Sequence, residues 1–98
     1  MKIRFEWDPE KARINLRKHR VSFELATRVF ADSLRLTDLD QIVEGEIRWK
    51  ASGSVEHSRV LVVVHTFRDS NDEEVIRLIS ARRATRWERK RYEEKETS

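Results

Sequence analysis

Apolar residues recur along this chain with two different periods, and the switches between them mark out the elements. "IRFEW" alternates apolar and polar positions, which predicts a short strand. "WDPEKARINLRKH" then opens a helix, with Asp8 as N-cap and Pro9 at the first helical position. On that helix Ala12, Leu16 and His19 share one face with Asn15 beside them, while Lys11, Arg17 and Lys18 lie elsewhere on the cylinder. A second helix begins at Ser22, with Val21 and Ala26 spaced as a hydrophobic staple and Leu25, Ala26, Val29 and Phe30 as its buried stripe. Only Arg20 separates the two helices. Such a corner commonly needs positive φ, where residues other than glycine cost about 1 kcal/mol.

"LRLTDLD" and "EIRWKAS" both alternate; in the second, Ile47, Trp49 and Ala51 face one way and Arg48, Lys50 and Ser52 the other. "VLVVVHTF" is continuously apolar and β-branched, which suits the most covered strand of a sheet. "RDSND" reads as a polar turn and "EEVIRLISA" as the strand pairing back across it, while "SGSVEHS" reads as a loop. A last helix starts at about Thr85, where "TRWE" is a capping box. The order β-α-α-β-β-β-β-α predicts an α+β fold: a mostly antiparallel sheet, two N-terminal helices and one C-terminal helix, with residues 1–98 as one domain.

Charge refines this picture through its distribution. Of 98 residues, 40% are charged, for a formal net charge of +3, and both ends of the chain are basic while residues 32–74 are acidic. Ends that meet in the fold would make a positive face for an anionic partner. The chain has no cysteine, which excludes disulfides, thiolate nucleophiles and Cys-ligated zinc. No apolar run reaches signal-peptide or membrane-span length, so the expectation is a soluble, cytoplasmic protein.

The strand-to-helix junction "ISARRATRWERKR" packs six bases and one acid between Arg82 and Arg91. Cations at a helix start oppose the dipole by roughly 0.3–1 kcal/mol each. Arg82, Arg83 and Arg86 cluster there, beside free backbone N–H groups that favour an anion, and guanidinium matches phosphate in bidentate geometry. The junction is therefore expected to hold a phosphate. Arg89 and Lys90 stand four residues before Glu93 and Glu94, so a solvated, self-neutralised face is the alternative for them. Trp87 and Tyr92 interleave with the bases as stacking rings would, or pack the helix on the sheet.

Arg77 interrupts the apolar "VIRLI" and must find a partner or open onto a groove, with Glu46 and Arg48 on a neighbouring strand as possible partners. His19, His57 and His65 show no metal-ligand spacing, so no metal site is expected. Cleaving RNA without metal needs a base for the 2′-hydroxyl, cations for the charge building on phosphorus, and an acid for the leaving oxygen. Arginines supply the second; His65, His19, Glu46, Tyr92 and Lys18 are the possible proton carriers. Which of Arg77, His65 and Arg82 share a sheet face depends on strand register, which a one-residue slip reverses.

"FEWDPEKARINLRKHRVSFELATRVF", "GEIRWKASG", "VLVVVHT" and "IRLISARRATRWERKRYEE" together resemble the BrnT family of type II toxin–antitoxin toxins, over Phe5 to about Glu94. The matching positions include Trp7, Asp8, Lys11, Asn15, Lys18 and His19 in the first helix, Glu46 and Arg48 in the middle, and Arg77, Ser80, Arg82, Glu88 and Tyr92 near the end. The resemblance implies a RelE-like fold and a metal-independent endoribonuclease that arrests growth, with no cofactor. It also implies neutralisation by a BrnA-like antitoxin with a DNA-binding segment, through which the complex represses its own operon. On that reading Arg77 and Arg82, with Arg48 assisting, stabilise the transition state. His65 or His19, with Glu46 and Tyr92 as alternatives, carries the proton, and Lys18, Arg83, Arg86, Arg89 and Lys90 track the RNA backbone. The rival reading is a non-catalytic module that binds nucleic acid or an antitoxin. Arg20 departs from the family's usual glycine after "KH".

Overall fold

Asp8, two residues past the first element, starts the second. Its backbone is extended, its carboxylate accepts the N–H of Glu10 at 2.9 Å, and Pro9, with no N–H to satisfy, takes the first turn. In the computed structural model, which describes residues 2–97, this junction separates strand β1 (Lys2–Glu6) from helix α1 (Pro9–His19). Then come α2 (Phe23–Ala26), a 3₁₀ turn over Thr27–Ala31, and four strands: β2 (Leu36–Val43), β3 (Glu46–Val55), β4 (Arg59–Ser70) and β5 (Glu73–Arg83). Helix α3 (Arg86–Thr97) follows. The strands form one sheet in the order β1-β5-β4-β3-β2, antiparallel except for β1, which runs parallel to β5.

Two of the hairpins close through two-residue turns with positive φ at both positions, Glu44–Gly45 (49° and 83°) and Asn71–Asp72 (47° and 65°), the turn geometry that matches strand twist. The turn expected across "RDSND" is thus confined to Asn71–Asp72, and β4 runs on through Ser70. The loop expected over "SGSVEHS" shrinks likewise, because β3 continues to Val55. Gly53 serves close packing there. A Cβ on it would lie 2.9 Å from Val29 Cγ1 and 3.1 Å from the Val29 carbonyl oxygen, so the 3₁₀ turn can settle on β3 only over a glycine.

One sheet face is apolar. Val21, Phe23, Ala26 and Val29 from the helical layer pack on Ala51, Leu61, Val63, Leu78 and Ala81 in a fully buried cluster. The opposite face is mostly charged, with a smaller cluster of Leu36, Val60 and Tyr92 where α3 crosses one corner. The stripe expected on α1 is displaced: Leu16 is half-exposed and Asn15 is the buried residue. The reason lies in β5. β1 pairs only with Glu73–Arg77, so Ala81 sits on a bare sheet edge. The Asn15 carboxamide takes the missing strand's place, donating to Ala81 O at 2.8 Å and Val21 O at 3.0 Å and accepting from Ala81 N at 3.0 Å. Arg20 then turns the corner in the left-handed region (φ 60°, ψ 27°), with its N–H on Leu16 O at 2.9 Å.

Candidate active site

The register of β5 against β4 decides which arginines meet. Arg82 lies opposite Val62 and Ser80 opposite Val64, but Leu78 rather than Ile79 lies opposite His65, so Ile79 is an extra residue and the strand bulges there. Alternation restarts after the bulge, with Arg77 opposite Thr66. Arg77 and Arg82 therefore share the charged face. On β3, Lys50 stands opposite Val64, and Arg48 and Glu46 follow at intervals of two on the same side. The charged face thus displays Glu46, Arg48, Lys50, Thr66, Arg77, Ser80 and Arg82 on three adjacent strands.

Two of these cations differ from the rest in their partners. Arg48 Nε is buried and has no hydrogen-bond partner. Among the described residues, Arg77 makes no side-chain hydrogen bond and no ion pair, neither with Glu46 nor with any other acid. Leaving a buried donor unmet costs roughly 1–3 kcal/mol.

Arg82 is already engaged. Its guanidinium forks onto Glu88, NH1 to Oε1 at 2.7 Å and NH2 to Oε2 at 3.0 Å, with Lys50 Nζ at 4.0 Å. The same carboxylate closes the capping box: Oε1 accepts the N–H of Thr85 at 2.8 Å, and Thr85 Oγ1 accepts the N–H of Glu88 at 3.2 Å. The Arg82 hydrogen bonds, joined by those from Thr85 and opposed by partial burial, hold the Glu88 carboxyl at a pKa of about 2. The helix mouth expected to receive a phosphate is filled by the protein's own anion.

The other expected site residues disperse. His65 is buried on the apolar face, edge-on to Phe30 at 4.8 Å between ring centroids, with Nδ1 3.2 Å from Val63 O. Burial pushes its pKa down, which favours a neutral ring. The pairing of His65 with Arg77 and Arg82 is thereby corrected, since odd positions of β4 face the helices and even ones face the arginines. Lys18 and His19 sit at the end of α1, in the layer on the apolar side of the sheet. Arg83 pairs with Leu61 and takes the apolar parity, whereas Arg86, Arg89 and Lys90 are exposed on α3 across the sheet. The proposed RNA track is therefore not one continuous strip. Arg89 binds Glu93 at 2.7 Å, as the spacing of four suggests.

The two aromatic residues of α3 also divide. Trp87 is 69% exposed, while Tyr92 is buried and donates its hydroxyl to Asp32, away from the arginines. Burial raises the Asp32 pKa, but hydrogen bonds from Tyr92, Ser54 and Leu34 outweigh it and leave the carboxyl lowered. Sequence reasoning missed Lys50, although it stands in the same alternation as Arg48. It also missed the Arg91–Asp38 fork (2.8 and 2.9 Å), which no local signal announces. Among the described residues, no group of three or more His, Cys, Asp or Glu side chains could hold a metal ion, and no helix is long and apolar enough to cross a membrane.

The fold has a solved counterpart. A crystal structure of the Brucella abortus ribonuclease toxin BrnT superposes with a TM-score of 0.58 at 22% identity, covering 88% of this chain and 100% of that one, a likeness that speaks to the fold. A search of curated proteins found no match. The family model described as the ribonuclease toxin, BrnT, of type II toxin–antitoxin systems matches residues 7–88, a span that includes Glu46, Arg48, Lys50, Arg77 and Arg82. This chain belongs to the BrnT family of ribonuclease toxins of type II toxin–antitoxin systems.

Proposed function

We propose that this chain is a metal-independent endoribonuclease whose active centre is the charged face of the sheet around Arg48 and Arg77. The reading rests above all on the unmet Arg48 Nε, a buried donor on the same face as the unpaired Arg77. A phosphodiester on this face is attracted by the positive charge of both guanidiniums. The 2′-hydroxyl oxygen attacks phosphorus, the bond to the 5′-oxygen breaks, and the products are a 2′,3′-cyclic phosphate and a 5′-hydroxyl end. Glu46 takes the proton from the 2′-hydroxyl and Lys50 gives one to the 5′-oxygen. Arg48 and Arg77 bear the charge that builds on the phosphorane oxygens. Arg82 and Lys50 together outweigh Glu88 by one positive charge at the rim, and exposed Arg86 and Lys90 extend that potential along α3.

In the cell the consequence is growth arrest in the cytoplasm, relieved by a BrnA-like antitoxin whose DNA-binding segment carries the complex to its operator. The 98 residues act as one domain with a RelE-like fold. The test is incubation of the purified protein with single-stranded RNA in excess EDTA. Cleavage leaving cyclic phosphate ends is expected; activity lost in EDTA and regained with magnesium would refute the metal-free chemistry. RNA left intact but bound, with affinity falling steeply with salt, would favour the non-catalytic module instead.

A further inference from the structure

The helical layer covers only half of the apolar face. Beyond Phe30, five large apolar side chains on that face are between 42% and 62% exposed: Ile3, Leu39, Ile42, Ile47 and Phe67. Register places them together. Leu39 pairs with Trp49, Ile42 with Ile47, and Phe67 shares its side of β4 with His65. A second bulge contributes, because the register slips between Leu39 and Gln41 and so brings Leu39 and Ile42, three residues apart, to one side. Between Ile3, Phe67 and Phe30 opens a cleft of about 270 Å³, floored by Trp49, His65 and Ile76. An exposed apolar patch continuous with an aromatic cleft is the usual form of a protein-docking surface with a central anchor pocket.

Charge selects the occupant. Glu74 lines the cleft, Asp69 stands opposite it in the β4–β5 ladder, and Glu44 caps the hairpin beside the Ile42–Ile47 pair, against one base, Arg35. An acidic rim repels RNA. It also disfavours a second copy of this face, because three carboxylates against one guanidinium leave each copy net negative there. A protein segment with apolar anchors flanked by lysine or arginine fits.

We infer that this half-open apolar face is the docking surface for the antitoxin, which inserts apolar side chains beside Phe67 and Trp49 and sets basic residues against Glu74 and Asp69. The inference rests on the toxin–antitoxin reading above and adds to it a location: the partner anchors on the side of the sheet away from Arg48 and Arg77.

The test uses the purified chain and the purified product of the adjacent open reading frame, with affinity measured by calorimetry and RNA cleavage assayed in parallel. The double variant Phe67→Lys/Ile47→Lys is expected to bind about 100-fold more weakly or worse, while cutting RNA at the wild-type rate and escaping neutralisation. Should that variant lose its cooperative melting transition, Asp69→Lys/Glu74→Lys reads the same surface through its charge and should weaken binding as well. Wild-type affinity in a folded variant overturns the inference. So does a wild-type chain that sediments as a dimer and becomes monomeric on substitution, or an RNA affinity that changes with it. RNA cleavage without any complex refutes the docking and spares the ribonuclease reading; a complex that depends on this face, without cleavage, does the reverse.

Discussion

Arg77 and Arg82 lie on the same face of β5 although they are five positions apart, an odd spacing that a regular strand would send to opposite sides. The one-residue bulge at Ile79 cancels the odd step. Without it, Arg77 would point into the layer occupied by Phe30 and His65, where an unpaired guanidinium is costly. The bulge both relieves that conflict and brings the cation to the face where Arg48 is unmet.

Substitutions at Arg77 and Arg48 should therefore separate activity from stability. Arg77→Ala is expected to lower RNA cleavage by roughly 10²–10³-fold, the usual loss when one charge-stabilising donor is removed, with little change in melting temperature. Arg48→Met should lose activity as well but gain about 1 kcal/mol of stability, since it removes a buried donor that has no partner. Denaturation and cleavage measured on the same preparations decide it; an Arg48→Met variant less stable than wild type would contradict the unmet-donor account.

The Glu88 carboxyl, held at a pKa of about 2 against an ordinary 4.5, ties stability to pH. A depressed carboxyl contributes stability that is fully present above the unfolded value and lost as pH falls through the folded one. Glu88→Gln should cost about 1–2 kcal/mol at pH 6, a figure reduced for solvent screening of the 36%-exposed Arg82 side chain. The gap to wild type should close between pH 4.5 and 2. Urea midpoints across that range measure it, and a gap independent of pH would show that the fork contributes nothing.

Asn15 replaces a missing strand. Asn15→Ala leaves the N–H and C=O of Ala81 and the Val21 carbonyl without their partner, which should destabilise the protein by roughly 2–4 kcal/mol. Asn15→Asp should be no better, because it turns an oxygen toward two carbonyls. Chemical denaturation of both variants provides the comparison.

Arg20 holds φ at 60°, a strained setting for a residue with a Cβ. Arg20→Gly should stabilise by about 1 kcal/mol, worth roughly 4–8 °C in melting temperature for a domain of this size, and Arg20→Val should destabilise. Scanning calorimetry reads both directly.

Much of this architecture could be read from the chain because its signals are local. Asp8 with Pro9, Ser22 with its staple, Thr85 with Glu88 and the positive φ at Arg20 each depend on a few neighbouring residues, and each appears where the sequence puts it. The site was less legible because its grouping depends on a single inserted residue in a strand, which leaves no mark in composition. That is why the chain alone leaves open whether His65 shares a face with Arg77, and register puts it behind the sheet. The burial of Asn15 was hidden for a related reason: its carboxamide answers a bare edge sixty-six residues away in the chain. Trp87 and Tyr92 were equally plausible as packing residues, and only the path of α3 across Leu36 and Val60 assigns that part to Tyr92.

Among the described residues, helix α3 is fastened by the buried Tyr92 ring and by polar contacts that include Tyr92 with Asp32, Arg91 with Asp38, and Glu88 with Arg82 and Lys50. A segment fastened chiefly by charge detaches at lower free energy than the body it covers, so its amides should be the first to trade hydrogen for deuterium. Added salt should hasten that exchange while leaving the strands protected. The ribonucleotide backbone itself is such an electrolyte, and a chain of phosphates competing for Arg82 would loosen the helix as it arrives.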